Sequence, residues 1–500
     1  MPDSNGKLSQ RLSAMDAFFL YLEAEEQPMH VGAVCLFEGR LPYAQFVKTL
    51  ESRLHMVPRY RQRALIPPFN IGHPVWQEDP HFDIRNHIFR LKLPAPGTDE
   101  ELRKLSGQIL TGALDRNKPL WEIYFVEGLT GKRTALVVKV HHCMVDGVAG
   151  IGLALVLLDV VPNPPKTRKP PYKPGPLPDT GQLMYDALWD NMIEGVRHWT
   201  RWQRSAAAYA RGFERRDILR NVKKFSETMG RFLLPYTRMP FNKPLSGERI
   251  LLWRDYAFAD ARAIRAVVGG TVNDVILTVL SSAVRELHKV RRQERRIPPS
   301  LRVLVPVNVR RETERASLGN HISLMPVEVP LMPGSAVERL QATSVRMREL
   351  KEAKVADAIS LMFDVFQGAP ALLQHASLRA MAKPGVQTLL DRLAGPVPPA
   401  NLICTNVPGP QIPLYVCGHR LTAMYPTLPV ALEMGINLAI TSYDQKLCIT
   451  FVGDQVVADD MNLLADYFDA AFRELRDAAA VKESQYVEIT RRAREEETAL

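Results

Sequence analysis

The residues with the clearest chemical potential form a polar cluster between two apolar runs. His141, His142 and Asp146 follow residues 134–140, a β-branched run of strand length, and precede residues 148–158, which are apolar nearly all round. The first run predicts a buried strand and the second a buried helix. Open α/β sheets bind their ligands at the carboxyl ends of strands. Because a buried histidine is costly unless its ring has a partner or a task, we interpret this junction as the candidate site.

Three kinds of site are compatible with these residues. A metal site is disfavoured, because neighbours in an extended strand point to opposite faces and no further ligands stand at a useful spacing. In a structural role, His141 is a hydrogen-bonded core residue and Asp146 caps a helix that begins at Gly147. In a catalytic role, one imidazole, with an ordinary pKa of about 6.5, takes a proton from a hydroxyl group. The residues alone leave the last two roles open.

The composition is that of a folded protein with more than one core. The 500 residues exceed one ordinary core, and apolar and charged fractions of 46% and 24% are typical of globular proteins. The first twenty residues lack the order of a signal peptide, and the longest apolar run, 147–158, is shorter than the roughly 20 residues that span a bilayer. The five scattered cysteines show neither a zinc spacing nor a disulfide framework, which predicts a reducing cytoplasm.

The order of strand and helix patterns predicts an α/β protein with two units of similar size. Residues 1–161 and 241–480 each alternate between the two patterns. The connecting segment, 162–240, begins with eight prolines within residues 162–178, which are typical of an extended linker, and continues as a basic helical stretch. Residues 481–500 form a charged tail that we expect to fray.

The positive charge of the chain points to an anionic partner. A net charge of +10 is compatible with nucleic acid, a membrane surface or a phosphorylated cofactor. The basic stretch is rich in tryptophan and arginine between residues 189 and 224. It is interpreted either as a solvated helix face or as a docking surface for anionic lipid headgroups. Nucleic acid is disfavoured, because no nucleic-acid-binding motif accompanies the stretch.

The polar cluster also belongs to a recognisable motif. Residues 141–147, His-His-Cys-Met-Val-Asp-Gly, match the HHxxxDG motif of the bacterial wax ester synthase/acyl-CoA:diacylglycerol acyltransferase family, a branch of the CoA-dependent acyltransferases. The chain resembles this family over roughly residues 12–470. Further matches are the N-terminal segments 12–16 and 28–32, PLW at 119–122, ND at 272–275, NVPGP at 405–410, and the closing strands at 435–437, 442–443 and 453–454.

The resemblance implies a fold and a reaction. The fold would be α/β, with two chloramphenicol-acetyltransferase-like domains that have mixed sheets and share a central channel. The reaction would transfer a long-chain acyl group from acyl-CoA, as co-substrate, to diacylglycerol, giving triacylglycerol and CoA. Wax ester synthesis from long-chain fatty alcohols, alone or in addition, is the alternative. A non-catalytic, membrane-associated lipid-binding protein with a decayed site is the alternative from another class.

The resemblance also implies roles for single residues. His142 would be the general base and His141 a supporting residue, while Asp146, followed by Gly147, would form a structural ion pair with an arginine. We suspect Arg310 as that arginine. Asn273 is the candidate for the oxyanion hole. No metal and no permanently bound cofactor are implied, and the residues that contact CoA are unknown.

Two further expectations follow from the chemistry of this reaction. Cys143 could in principle form an acyl-enzyme, but its side chain should project away from the base, so covalent catalysis is disfavoured. The acceptor is insoluble in water, so we expect a cytoplasmic protein that lies on the inner face of the membrane or on lipid bodies. The basic stretch, residues 189–224, is the predicted contact.

Overall fold

The computed structural model describes residues 11–145, 157–165, 170–191, 203, 236–292, 297–308, 322–352, 368–383 and 400–482. The strands in this part of the chain are β1 (His30–Phe37), β2 (Gln62–Leu65), β3 (Val75–Glu78), β4 (Ile88–Lys92), β5 (Trp121–Glu127), β6 (Thr134–His141), β7 (Arg249–Ala257), β8 (Ser300–Asn308), β9 (Ile322–Pro330), β10 (Leu402–Pro408), β11 (Tyr415–Val416), β12 (His419–Thr427), β13 (Ile436–Tyr443) and β14 (Lys446–Asp454).

These strands form two mixed six-stranded sheets and one small hairpin. The first sheet has the order β11-β12-β1-β6-β5-β4, in which β4 and β5 are parallel and the other pairs antiparallel. The second has the order β7-β14-β13-β10-β8-β9, in which β10 runs parallel to both of its neighbours. Strands β2 and β3 pair separately. The prediction of an α/β fold with mixed sheets is confirmed.

Helices cover both sheets. They are α1 (Ala14–Leu22), α2 (Tyr43–Arg53), α3 (Asp99–Thr111), α4 (180–191), α5 (Phe258–Val268), α6 (Val272–Arg292), α7 (Ala336–Glu352), α8 (Ala371–Met381) and α9 (Ala458–Ala478). Capping residues mark the start of two of these helices. The Ser13 hydroxyl accepts from the Asp16 N–H at the start of α1, and Thr98 and Glu101 form a capping box on α3.

The two halves of the sequence are interleaved at their junction. Strand β12 lies late in the chain, yet it pairs with β1 along almost its whole length. Helix α3 packs on β7, where Gly107 meets the Arg249 carbonyl: a Cβ at Gly107 would lie 2.3 Å from that oxygen. Trp253 stacks on Tyr425 at 4.7 Å. The division at residues 161, 240 and 480 stays a prediction, and the structure shows that β11 and β12 of the C-terminal half complete the first sheet.

Several elements differ from expectation. Most of the predicted helix 148–158 and most of the basic stretch lie outside the described residues, as does nearly all of the tail 481–500. Strands β4 and β12 and helix α8 were not predicted. Among the described residues, no single helix has the length and hydropathy needed to cross a bilayer; α5 and α6 meet these criteria only together, across a bend of 97°.

Candidate active site

The two adjacent histidines lie where β6 ends and a 3-10 turn, His142–Met144, begins. The His142 N–H donates to the Met29 carbonyl at 2.8 Å, which fixes the backbone at the start of the turn. This change from strand to turn gives the two side chains different surroundings. The His141 ring is buried, whereas the His142 side chain is partly exposed.

The ring of His141 is held on both sides by other groups. Its Nδ1 accepts a hydrogen bond of 3.1 Å from the Cys143 N–H, so the ring proton is assigned to Nε2. That Nε2 lies 3.3 Å from Oε1 of Glu23, at the end of α1. One nitrogen of His141 accepts a hydrogen bond from the backbone and the other faces a carboxylate. Neither nitrogen is therefore directed to a substrate.

Glu23 is the centre of a buried polar cluster. Its Oε2 accepts from Arg116 at 2.7 Å, and its Oε1 accepts from the Met29 N–H at 3.3 Å. Burial by itself would raise the pKa of this carboxyl, but its contacts with His141 and Arg116 outweigh burial and hold that pKa well below its usual range. Glu23 is therefore a charged group inside the protein that holds His141 in place.

A third histidine faces the same carboxylate. His30 on β1 pairs directly with His141 on β6, and its Nε2 lies 3.5 Å from Oε1 of Glu23. Burial, together with the positive charge of Lys139, nevertheless outweighs this attraction and lowers the pKa of His30 to about 3. The His30 ring is therefore neutral near pH 7.

The imidazole of His142 lies against helix α1. It stacks face to face on Phe19, with ring centroids 3.8 Å apart and planes within 4° of each other. This stacking sets the plane of the ring. A small cleft between the two halves is lined by His30, Leu110 and Arg249 together with other residues.

The second candidate group lies at the start of α6. Thr271 and Asp274 exchange hydrogen bonds across the first turn, so Asp274 of the ND motif stabilises the helix end. Asn273 beside it accepts a bond of 2.5 Å from the side-chain amide of Asn406 in the NVPGP motif. Since its oxygen is the acceptor, the amide protons of Asn273 remain to donate elsewhere. Among the residues that the structure describes, no hydrogen bond joins Asn273 to His142.

Comparison with known proteins identifies the kind of site. The model of the wax ester synthase/diacylglycerol acyltransferase catalytic domain matches residues 12–276, and that of the corresponding C-terminal domain matches residues 318–476. The chain belongs to this family. A probable diacylglycerol O-acyltransferase of Mycobacterium tuberculosis is 30% identical, over 96% of this chain and 98% of that protein.

Solved structures share the fold. A wax ester synthase/diacylglycerol acyltransferase from Marinobacter aquaeolei matches with a TM-score of 0.64 and 24% identity, over 94% of this chain and all of that chain. The first condensation domain of the CDA synthetase matches with a TM-score of 0.56 and 15% identity, over 95% and 98% of the two chains. These likenesses support the two-sheet architecture described above.

Several motifs shared with the wax ester synthase/diacylglycerol acyltransferase family have packing roles here. In PLW, the Trp121 indole donates to the Tyr60 carbonyl at 2.8 Å, and the Leu120 carbonyl accepts from the His141 N–H at 2.9 Å. At the end of β14, the buried Asp454 accepts from the Arg249 guanidinium at 2.8 Å. These motifs hold the site and the two halves together.

Cys143 has the surroundings of a structural residue. Its thiol is buried, and burial, together with the carboxylates of Asp16 and Glu23, raises its pKa well above the usual value. A thiol in this state supplies almost no thiolate at neutral pH. This supports the expectation that Cys143 forms no acyl-enzyme.

Other predicted residues have no structural test. Asp146, Gly147 and the suspected partner Arg310 lie outside the described residues, so their roles stay predictions. In the described part of the chain, no three His, Cys, Asp or Glu side chains are grouped as a metal ion would need.

Sequence reasoning missed three residues around the histidines: Phe19, Glu23 and His30. Each of them contacts the HHxxxDG segment from more than one hundred residues away in sequence. Periodicity gives no sign of such a contact. The available signal was the resemblance at residues 12–16 and 28–32, which bracket this part of the chain.

Proposed function

We propose that this protein transfers a long-chain acyl group from acyl-CoA to the free hydroxyl of diacylglycerol, with His142 as the general base. Family membership and the names of the mycobacterial relatives support the reaction. The observation that carries the choice of base is the contrast between two neighbours: Cys143 and Glu23 occupy the nitrogens of His141, while the His142 side chain is partly exposed.

The reaction requires one base and one oxyanion site. His142 accepts the proton of the acceptor hydroxyl as its oxygen attacks the thioester carbonyl. The tetrahedral intermediate then collapses, the C–S bond breaks, and the proton passes from His142 to the leaving thiolate of CoA. General-base catalysis of this kind contributes about 10²–10⁴-fold to the rate.

The N-terminal turn of α6 suits the second requirement. Its first N–H groups have no partner within the helix, and the helix dipole favours negative charge there. Asn273 lies in that turn with its amide protons available. We propose that Asn273 stabilises the oxyanion through its side chain or this turn, since fixed donors are often the largest single contribution to such a reaction.

The same proposal gives the protein a place in the cell. Diacylglycerol resides in membranes and lipid bodies, and so the enzyme must work at a lipid surface as a peripheral protein on the cytoplasmic side. The positive net charge of +10 supports attraction to anionic lipids and to the phosphates of CoA.

The test compares two neighbouring substitutions. With palmitoyl-CoA and dioleoylglycerol, His142→Ala should lower kcat for CoA release about 10²–10⁴-fold at an unchanged melting temperature. Cys143→Ala is the matched control and should retain most of the activity. Activity of His142→Ala close to that of the parent would refute the assignment, and absence of CoA release by the parent with any alcohol would refute the reaction. A panel with hexadecanol would show whether fatty alcohols are also acylated.

A further inference from the structure

Large apolar side chains are exposed together on three neighbouring elements. They are exposed by between 40 and 80% and lie on the turn Pro68–Asn70, on α4 and on α8; the residues are Phe69, Met184, Tyr185, Leu188, Trp189, Leu372 and Leu373. We call these seven residues the apolar patch. Scattered apolar residues are normal on a protein surface, but a contiguous group marks an interaction site.

Direct contacts hold the three elements side by side. Helix α8 packs against the turn Pro68–Asn70. Helix α4 lies on the loop that follows this turn: its Ala187 approaches Gly72 closely, and the Asn191 side chain donates to the Ile71 carbonyl. The apolar patch is therefore one surface built from three distant parts of the chain.

Helix α4 exposes apolar residues to solvent, whereas an ordinary surface helix buries its apolar face. Ala187 is buried against the protein, whereas residues 184, 185, 188 and 189 are exposed and form one apolar face at helical spacing. Such a face is expected to be covered in the working state of the protein.

The turn presents its aromatic residue at a conformational cost. Phe69 has φ of 55°, in the left-handed region that bulky residues rarely adopt, and its side chain is 80% exposed. Asn70 follows with φ of 52°. The Phe69 ring is exposed, so its burial does not offset the cost of this backbone conformation. Backbone strain of this kind is found mainly at positions with a function.

We propose that the apolar patch is the surface by which this protein docks on anionic lipid, with its aromatic rings inserted at the headgroup level. This inference rests on the proposed function, because an acceptor dissolved in a lipid phase requires the enzyme to meet that phase. Aromatic and leucine side chains beside basic residues are the composition that binds the membrane interface.

Basic residues flank the apolar patch on α8 and in the sequence that follows α4, whereas α4 itself carries the exposed Asp186, and also Asp190, which pairs with Arg11. Residues 371–383 carry Arg379 and Lys383 and no acidic residue. From α4 the chain continues into residues 192–235, which contain ten Lys and Arg against four Asp and Glu. Basic residues are attracted to anionic lipid, so the sequence that continues from α4 suits the same partner.

The apolar patch also lies next to the proposed base. Helix α8 packs on α1, where His375 contacts Tyr21 edge to face at 5.1 Å and Arg379 donates to the Glu23 carbonyl at 2.9 Å. Helix α1 in turn carries Phe19, which stacks on His142. A docked lipid surface would thus be one helix layer away from the imidazole that needs the acceptor.

The test removes one large side chain from each element. The triple variant Phe69→Ser, Trp189→Ser, Leu373→Ser should bind sedimented vesicles of phosphatidylcholine and phosphatidylglycerol about tenfold or more weakly than the parent. The matched control is Val267→Ser, Val290→Ser, Val345→Ser, which removes equally exposed apolar residues from α5, α6 and α7 and should bind as the parent does. Equal vesicle binding by the parent and both variants overturns the proposal.

Activity separates this proposal from the proposed function. CoA release with a dissolved short-chain alcohol should be the same in the parent and the patch variant, while release with vesicle-borne dioleoylglycerol should fall in the patch variant alone. A parent that is inactive with both acceptors refutes the proposed function and leaves vesicle binding as an independent result. If the patch variant instead changes the oligomeric state in sedimentation and binds vesicles normally, the apolar patch contacts a second copy, and lipid docking is wrong.

Discussion

His141 and His142 are adjacent in the chain but differ in the groups that hold their rings and in their exposure. The first is oriented by a backbone N–H and a charged carboxylate, and the second rests on an aromatic ring. A pair of histidines therefore divides into a positioning residue and a candidate base. The division depends on Glu23, whose charge inside the protein is stabilised by its contacts with His141 and Arg116.

The buried His30 gives a pH dependence of stability with a definite sign. An unfolded histidine binds a proton near pH 6.5, whereas the folded His30 does so only near pH 3. Between these values the unfolded state binds more protons, so the free energy of unfolding falls as pH drops from 6.5, by up to about 1.4 kcal/mol per pH unit. The Glu23 carboxyl has a lowered pKa, so its contribution is lost only at lower pH, below about 4.3.

The measurement is urea unfolding at several pH values between 6.5 and 4.5. In the His30→Asn variant, the free energy of unfolding should fall less steeply with decreasing pH, by up to about 1.4 kcal/mol per pH unit. The substitution of an exposed histidine, His81→Asn, is the matched control. Buried His87, whose pKa burial also lowers, contributes equally to parent and variant. Parallel curves for the parent and His30→Asn would contradict the prediction.

At the scale of elements, the contact of α3 with β7 requires a residue without a side chain. A Cβ at position 107 would lie 2.3 Å from the Arg249 carbonyl oxygen, which is backbone and cannot swing away. Gly107→Ala should therefore lower the free energy of unfolding by about 1–3 kcal/mol, despite the higher helix propensity of alanine. Gly112→Ala is the control, because its Cβ would meet only Lys139 Nζ at 3.8 Å. Equal stability of the two variants, by urea unfolding, would rule out the steric role of Gly107.

Some elements could be predicted from sequence because their signals are local. The hairpin of β13 and β14 follows from two apolar runs around a short turn, and the start of α6 from polar residues ahead of an amphipathic pattern. Strand β12 could not: Pro426 argues against a strand, and its partner β1 lies nearly 400 residues earlier. The same limit applies to the site, where His142 and Asn273 come from motifs but Glu23 acts across the fold.

At the scale of the whole molecule, the position of β12 in the first sheet makes the N-terminal half incomplete on its own. Residues 1–161 contain β1, β4, β5 and β6 but lack the strand that covers the free edge of β1. Expressed alone, this fragment should aggregate, because an exposed strand edge recruits other chains. Co-expressed with residues 162–500, it should copurify in soluble form. A soluble 1–161 fragment with a cooperative unfolding transition would show that β12 is dispensable.

The position of β12 also has a consequence for biosynthesis. At roughly 5–20 residues per second, a ribosome needs on the order of tens of seconds between finishing β6 and releasing β12. Throughout that interval the nascent chain presents β1 as an open strand edge to its surroundings. Holding factors that shield such edges during translation would therefore determine the yield of active protein as much as its final stability does.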